Sequence, residues 1–434
     1  MIDILVISLV VAAVVSLAMW RLDWALGLVV LLLPFYTVRF ALGGLPFTLL
    51  EISLVALAVV FFWRRRLYRL SFLKQALDRV PFKIPIVIFL AAASLGVIVS
   101  PDLYAALGEW RAYFIEAIIF FFIFVNVVRR EREQKTILWA LGLAALVVSL
   151  YAIIQNYTGI NIPEPWSGAA VRRVTAWYGY PVAVALFLTP LSALFTSLSL
   201  IRKSPLPKIF CLGVAVASLA AVYFTHSRGA IIAWLVALLG LSLVPGRWTG
   251  LIGRFGRWWR IAVLIAVLAC VLVLFLMPGI SDRFVSVFTG QDNSTNVRLV
   301  MWQGAWRLIQ EHWLWGAGLA GFPILYDQYR EARHTELLLY PHNLVLNFWV
   351  EVGLAGLIAF FWLVVNFFRK ARAAVKISHQ IAPVVLGAGV AMIVLLVQGL
   401  IDVPYFKNDL SFLFWIIVGL VTTSYEINRA LLNK

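Results

Sequence analysis

Apolar runs of spanning length, about 20 residues each, recur from one end of this chain to the other. A backbone inside such a run has no water to bond, so only helices and closed barrels satisfy its N–H and C=O groups. The runs are continuous rather than alternating, which excludes a barrel. Candidate spans are 3–20, 23–39, 46–63, 83–100, 110–128, 136–157, 176–199, 208–224, 229–244, 261–277, 342–368, 382–401 and 409–428. Of 434 residues, 13% are charged, against about 25% in soluble domains. The expectation is an all-α polytopic membrane protein with 12–13 transmembrane helices.

The formal charge of +16 would suit a nucleic-acid binder, but its distribution argues otherwise. Lys and Arg gather in short connectors: Arg64 to Lys83, Arg129 to Lys135, Arg202 to Lys208, Arg247 to Arg260 and Arg369 to Lys376. The alternate connectors are less basic. This is the positive-inside pattern, so the partner is a bilayer and no nucleic acid is expected. It puts the C-terminus in the cytoplasm. Thirteen spans put the N-terminus outside; if one of the two short leading spans does not cross, twelve put it inside. Met1-Ile2-Asp3 lacks the basic start of a cleavable signal, so the first run is expected to stay. Cys211 and Cys270 lie inside apolar runs, and no disulfide framework is expected. Connectors 64–80 and 247–260 interleave Arg with Leu, Phe and Trp. They fit amphipathic helices on the inner leaflet as well as plain topology signals.

The long polar stretch 278–341 cannot cross a bilayer and would face outward. The chain therefore divides into an N-terminal bundle (1–277), an extracytoplasmic loop with an amphipathic helix (278–341), and C-terminal spans (342–434). Thr295 or Asn296 can cap a loop helix running to about Gln310. Arg298 and Trp302 share one face of it.

Ionisable groups beside the spans are the candidates for chemistry, because each costs about 2.5–3.5 kcal/mol at membrane depth. Arg172 and Arg173 precede one span. Thr225-His226-Ser227-Arg228-Gly229 fills a tight turn. His342 and Asp402 stand at the outer ends of others. Arg228 fits a headgroup anchor or an anion site. His342 fits a simple cap or a base, since a helix start disfavours a cationic ring. Asp402 can pair with Lys407 or orient the histidine. Glu109 and Arg111 suggest a structural pair. Gly316-Ala317-Gly318-Leu319-Ala320-Gly321 matches the dinucleotide pattern GxGxxG but follows no strand, so it reads as a flexible turn. No phosphate loop, HExxH or metal-spaced cluster occurs, and no metal or cofactor is expected. With no inner soluble domain to bind ATP or a nucleotide sugar, any substrate must arrive already activated and outside.

Four stretches together resemble the O-antigen ligase and polymerase family of bacterial membrane glycosyltransferases. Thr225 to Ala230 is similar to its S-R-G-A turn. Arg298-Leu299 with Trp302 resembles R-L-x-x-W. Gly316-Ala317-Gly318 to Phe322 resembles G-x-G-x-x-x-F. His342-Asn343-Leu344-Val345-Leu346 with Glu351, Gly353, Gly356 and Leu357 resembles H-N-x-x-L…E-x-G-x-x-G-L. The resemblance implies a GT-C-like, metal-independent transferase in the bacterial inner membrane, acting on its outer face. Its donor would be a glycan on undecaprenyl pyrophosphate, and its acceptor a hydroxyl on lipid A core or another surface acceptor. Arg228 and Arg298 would hold the pyrophosphate and His342 would be the base. Arg172, Arg173, Trp302, Asn343, Asp402 and Glu351 would contact substrate. A ligase is favoured over a repeat-unit polymerase of the same family. A transporter or flippase for a polyprenyl-linked glycan is the reading from another class, and it would need inverted repeats that the sequence lacks.

Overall fold

The computed structural model describes residues 4–168, 172–201, 205–242, 261, 265, 293–330, 339–377 and 382–432. The chain is an all-α polytopic membrane protein. Six helices among the described residues are long and apolar enough to cross a bilayer. A seventh crossing forms if α4 (Leu70–Asp78) and α5 (Lys83–Val99) count as one span bent by 103°. The shorter apolar helices α1 (Ile4–Trp20) and α2 (Leu22–Leu31) and two later ones supplement these. The expected span 261–277, apart from residues 261 and 265, and the amphipathic stretch 247–260 lie outside the described residues.

One expected span is cut short. Residues 23–39 hold only α2, followed by a 3-10 turn, Leu33–Thr37, that carries Pro34 near its start. Proline lacks the N–H that would continue the helix. Beyond it lies an antiparallel hairpin, β1 (Arg39–Leu42) and β2 (Leu45–Thr48), turning at Gly43-Gly44. Thr48 then caps α3 (Leu49–Arg64) in a reciprocal box: its hydroxyl accepts from Glu51 N at 3.2 Å, and Glu51 Oε2 accepts from Thr48 N at 2.7 Å.

The next crossing joins α6 (Leu103–Glu109), a π-helical turn (Trp110–Ile115) and α7 (Glu116–Val127). Then come α8 (Glu131–Thr158), α9 (Pro181–Ile201), α10 (Pro205–Phe224) and α11 (Arg228–Ser242). The loop helix expected from Asn296 to about Gln310 is α12 (Asn293–Glu311), followed by the short α13 (Phe322–Leu325). The last three are α14 (Leu344–Ile377), α15 (Ala382–Gln398) and α16 (Asn408–Leu432).

Lipid tails are as apolar as any core, so close packing rather than water exclusion holds membrane helices together. Here an aromatic stack does much of this. Phe348 of α14 lies 4.2 Å from Phe360 and 5.2 Å from Tyr405, and Phe89 of α5 lies 5.0 Å from Phe114, measured between ring centroids. Each such pair contributes about 0.5–1.5 kcal/mol beyond its contact area. The stack fixes α5, α14 and the 399–407 connector against one another, and these carry the candidate site.

Candidate functional site

His342 stands in a corner built from hydrogen bonds. Its backbone has φ +45°, a left-handed conformation that side chains rarely adopt and that recurs at functional sites. Asn343 caps α14: its Oδ1 accepts from Val345 N at 3.0 Å and Leu346 N at 3.1 Å. Its Nδ2 donates to Leu400 O at 2.9 Å, and Leu344 N donates to Gly399 O at 2.7 Å. These bonds clamp the end of α15 to the start of α14. They bring Asp402, only 3% exposed, to His342, with Nδ1 and Oδ1 2.9 Å apart. Of the two partners the sequence offered Asp402, the histidine is the one it takes. Tyr340 lies along the imidazole, ring centroids 4.7 Å apart. Burial, and then the Asp402 carboxylate, push the Tyr340 hydroxyl well above the ordinary phenol range.

The Arg228 turn abuts this corner. Arg228 opens α11, and its neighbour Gly229 packs so closely on Ile401 that a Cβ there would collide with Ile401 Cδ1. Ile401 directly precedes Asp402. Arg173 is strapped to the same turn: its Nε donates to Thr225 O at 2.9 Å, and Val174 N donates to Phe224 O at 3.2 Å. Its guanidinium also covers the Trp166 ring at 4.8 Å. Arg172 goes elsewhere, donating to Asn156 O at 2.8 Å beside Gly159 at the end of α8. Adjacent residues diverge: Arg172 bonds to the end of α8, and Arg173 to the Arg228 turn.

Arg298 arrives from the loop helix. Trp302 Nε1 donates to Pro341 O at 2.9 Å, which docks α12 one residue before His342. Arg298 is one helical turn back on the same face. Beneath it, Met301, Ala305 and Leu308 pack with Phe322, Tyr326 and Val350 in a small separate core.

Glu351 lies farther along α14, 3% exposed. Its Oε2 accepts from Ala320 N at 2.7 Å, and Glu109 Oε2 accepts from the same N–H at 3.1 Å. Two carboxylates converge on one donor. The expected Glu109–Arg111 pair is corrected by this: Arg111 bridges Glu51 at 3.2 Å and Glu116 at 3.3 Å instead. Both acids lie on buried faces nearer the guanidinium, whereas Glu109 turns toward Ala320.

The GAGLAG stretch is also not a flexible turn. Leu319 N donates to Gly96 O at 3.0 Å, Ser100 Oγ donates to Leu319 O at 2.7 Å, and Ala317 N donates to Val350 O at 2.7 Å. Gly318, at φ +84°, faces Gly96 O, which a Cβ would approach to 2.6 Å. It sits between α5 and a break in α14, where Gly353 adopts φ +68° and Leu354 N donates out of the helix to Leu314 O at 3.1 Å. The glycines serve close backbone approach rather than freedom.

A cavity of about 680 Å³ opens beside this strut, lined by Glu109, Glu351, Tyr340, Asn347, Trp177 and Lys407 among others. Asn347 is 1% exposed, and its Oδ1 has no hydrogen-bond partner among the described residues. Lys407 Nζ lies 4.0 Å over the Tyr180 ring, not beside Asp402. Burial pushes its ammonium down to about 8, and Asp409 partly opposes this. Tyr340 and Asn347 join the site although neither is among the sequence candidates. The visible signal for Asn347 was its place one turn beyond Asn343, on the same helix face.

Asp402, Asn343 and Trp302 thus bond to or beside His342, the turns and helices that carry Arg173, Arg228 and Arg298 are docked on the same corner, and Glu351 borders the cavity that Tyr340 shares. Residues 213–361, about a third of the chain, match the family model described as O-antigen ligase. Among curated proteins none matches.

Proposed function

We propose that the chain, which matches the O-antigen ligase family model over residues 213–361, is a ligase-type glycosyltransferase. In this reading it moves a glycan from undecaprenyl pyrophosphate to an acceptor hydroxyl, on lipid A core or another surface acceptor, at the outer face of the bacterial inner membrane. On the same proposal the described residues 293–330 lie on the extracytoplasmic side. The observation that carries the reading is the 2.9 Å contact of His342 Nδ1 with Asp402 beside the Arg228 turn.

With Nδ1 as donor to Asp402, Nε2 holds the lone pair that accepts a proton. The acceptor hydroxyl gives that proton to Nε2 as its oxygen attacks the anomeric carbon. The bond from that carbon to the pyrophosphate oxygen breaks, and its electron pair leaves on undecaprenyl pyrophosphate. Charge grows on the leaving group in this step. Arg228 and Arg298, permanently protonated and able to bind two oxygens at once, hold it. Such donors, fixed where charge develops, lower the barrier most. Arg173, already fastened to Thr225 O, positions the Arg228 turn. Asn343 and Trp302 hold His342 in place through the α14 cap and Pro341.

The cavity beside Tyr340 suits the acceptor sugar. Its acids accept from hydroxyls, Lys407 donates, Asn347 offers an unused acceptor, and its aromatic walls offer stacking faces. Its mixed charges suit a polyhydroxylated ligand better than a pyrophosphate. Purified protein given lipid-linked donor, with and without EDTA, tests the reading. His342→Ala and Arg228→Ala should each abolish most transfer, and near-wild-type turnover by either variant removes that residue's role. Asn347→Ala should raise the acceptor KM about tenfold with kcat held, as expected for losing one buried hydrogen bond. Movement of the lipid-linked glycan with no new linkage would favour a transporter.

A further inference from the structure

The connector after α3 carries a second site. α3 begins at the cavity end, where Asn408 Nδ2 donates to Glu51 Oε1 at 2.8 Å. Its 16 residues carry the chain about 24 Å away, to Arg64. There Arg64, Arg65, Arg66, Arg79 and Arg129 converge on a pocket of about 360 Å³. Arg66 has φ +53°, and this left-handed turn folds the arginine run back so that Leu67 is buried under it. Topology alone requires positive residues in this connector. It does not require them to converge on one concavity.

No described acidic residue lines the pocket itself, and the nearest acid acting on Arg65 is Glu133. Among the described residues none of the five makes an ion pair. The neighbouring Glu133 is engaged with the backbone N–H groups of Arg129 and Arg130, at 2.6 and 3.0 Å. Burial, with Arg79 and Arg64 nearby, lowers the hold of Arg65 on its proton. Asn126, 2% exposed, also lines the pocket, and its Oδ1 has no partner among the described residues. The remaining wall is Phe61, Leu67, Phe72 and Ala76, mostly apolar, with the amide of Gln75 among them. The helix that closes it, α4, leaves Leu70 and Leu77 exposed and meets α5 at 103°, the geometry of a helix lying along a bilayer surface.

We propose that this pocket binds the phosphate headgroup of an anionic glycerophospholipid, with the acyl chains running out along Phe72 and α4. Guanidinium groups bind phosphate oxygens in pairs, and the apolar wall suits the glycerol and first methylenes. A free phosphate would use the same guanidinium groups but not that wall.

Native mass spectrometry of the full-length protein in detergent, titrated with phosphatidylglycerol or phosphatidylcholine, tests this. Phosphatidylglycerol should bind at least tenfold more tightly. Arg65→Gln with Arg79→Gln should erase that preference, while the paired Lys variant should keep part of it. Gln75→Trp fills the pocket without removing a charge and should also block binding, which covers the case in which the double variant fails to fold. Inorganic phosphate should neither displace the lipid nor raise the melting temperature. Equal binding of the two lipids, an unchanged preference in Gln75→Trp, or stabilisation by inorganic phosphate matching that by the lipid would each overturn the proposal.

Discussion

Arginines gather at two places in this protein, and their surroundings differ. Around His342 they stand beside a matched partner set: Asp402 holds the imidazole, backbone carbonyls hold Arg173, and Trp302 docks the helix that carries Arg298. In the pocket behind Arg64, five arginines share a concavity and, among the described residues, no ion pair. The first arrangement is already positioned by its own bonds, as a reacting centre needs. The second is lined by no described acid, which is the basis on which an anion is proposed there. One total of +16 therefore covers two kinds of work, and charge counting alone does not separate them.

Substitutions can break this comparison or sharpen it. His342→Ala should lower turnover by roughly 10²–10⁴-fold, the usual worth of a general base, with lipid binding in the Arg65 pocket unchanged. Arg228→Ala should cost about 10²–10³-fold in kcat, as lost charge stabilisation does; Arg228→Lys should recover little, because an ammonium cannot bind two oxygens in the same plane. Both are read by transfer assay. Gly353→Ala acts on the frame instead. A Cβ there would lie 2.5 Å from Leu314 O at φ +68°, and stability in detergent should fall by about 1–3 kcal/mol. Trp302→Phe removes one hydrogen bond, about 0.5–1.5 kcal/mol, and should slow transfer severalfold by loosening α12 against Pro341. The smallest effect belongs to Arg65→Gln with Arg79→Gln, which should leave transfer in neutral-lipid micelles within twofold of wild type. A large loss there would collapse the distinction between the two arginine sets.

The architecture was legible because apolar length alone forces helices across a bilayer, and every long apolar run among the described residues contains one. Span 23–39 misled because its composition hides Pro34, whose local chemistry outweighs hydropathy. His342, Asn343 and Asp402 could be picked out since each sits where an apolar run meets a connector, yet only the clamp between Leu344 and Gly399 decides that Asp402 meets His342 and not Lys407. The Glu109–Ala320–Glu351 convergence was out of reach: it joins residues 211 and 31 positions apart through a backbone N–H, which no side-chain pattern records. The glycine run was misread for a related reason. A sequence displays the conformational range of glycine, whereas here its lack of a side chain lets three backbones touch.

That seam between the 313–319 segment, Gly96 and the opened turn at Gly353 bears on how such a protein can be re-engineered or can diverge. Residues 293–330 look like a detachable module, but their carbonyls and amides are spliced into two membrane segments. Transplanting them alone into a related scaffold would leave Leu354 N and Gly96 O without their counterparts. A working chimera would have to carry the ends of α5 and the first turns of α14 along with it, so new acceptor preferences should arise by point changes in the cavity wall more readily than by exchange of the whole loop.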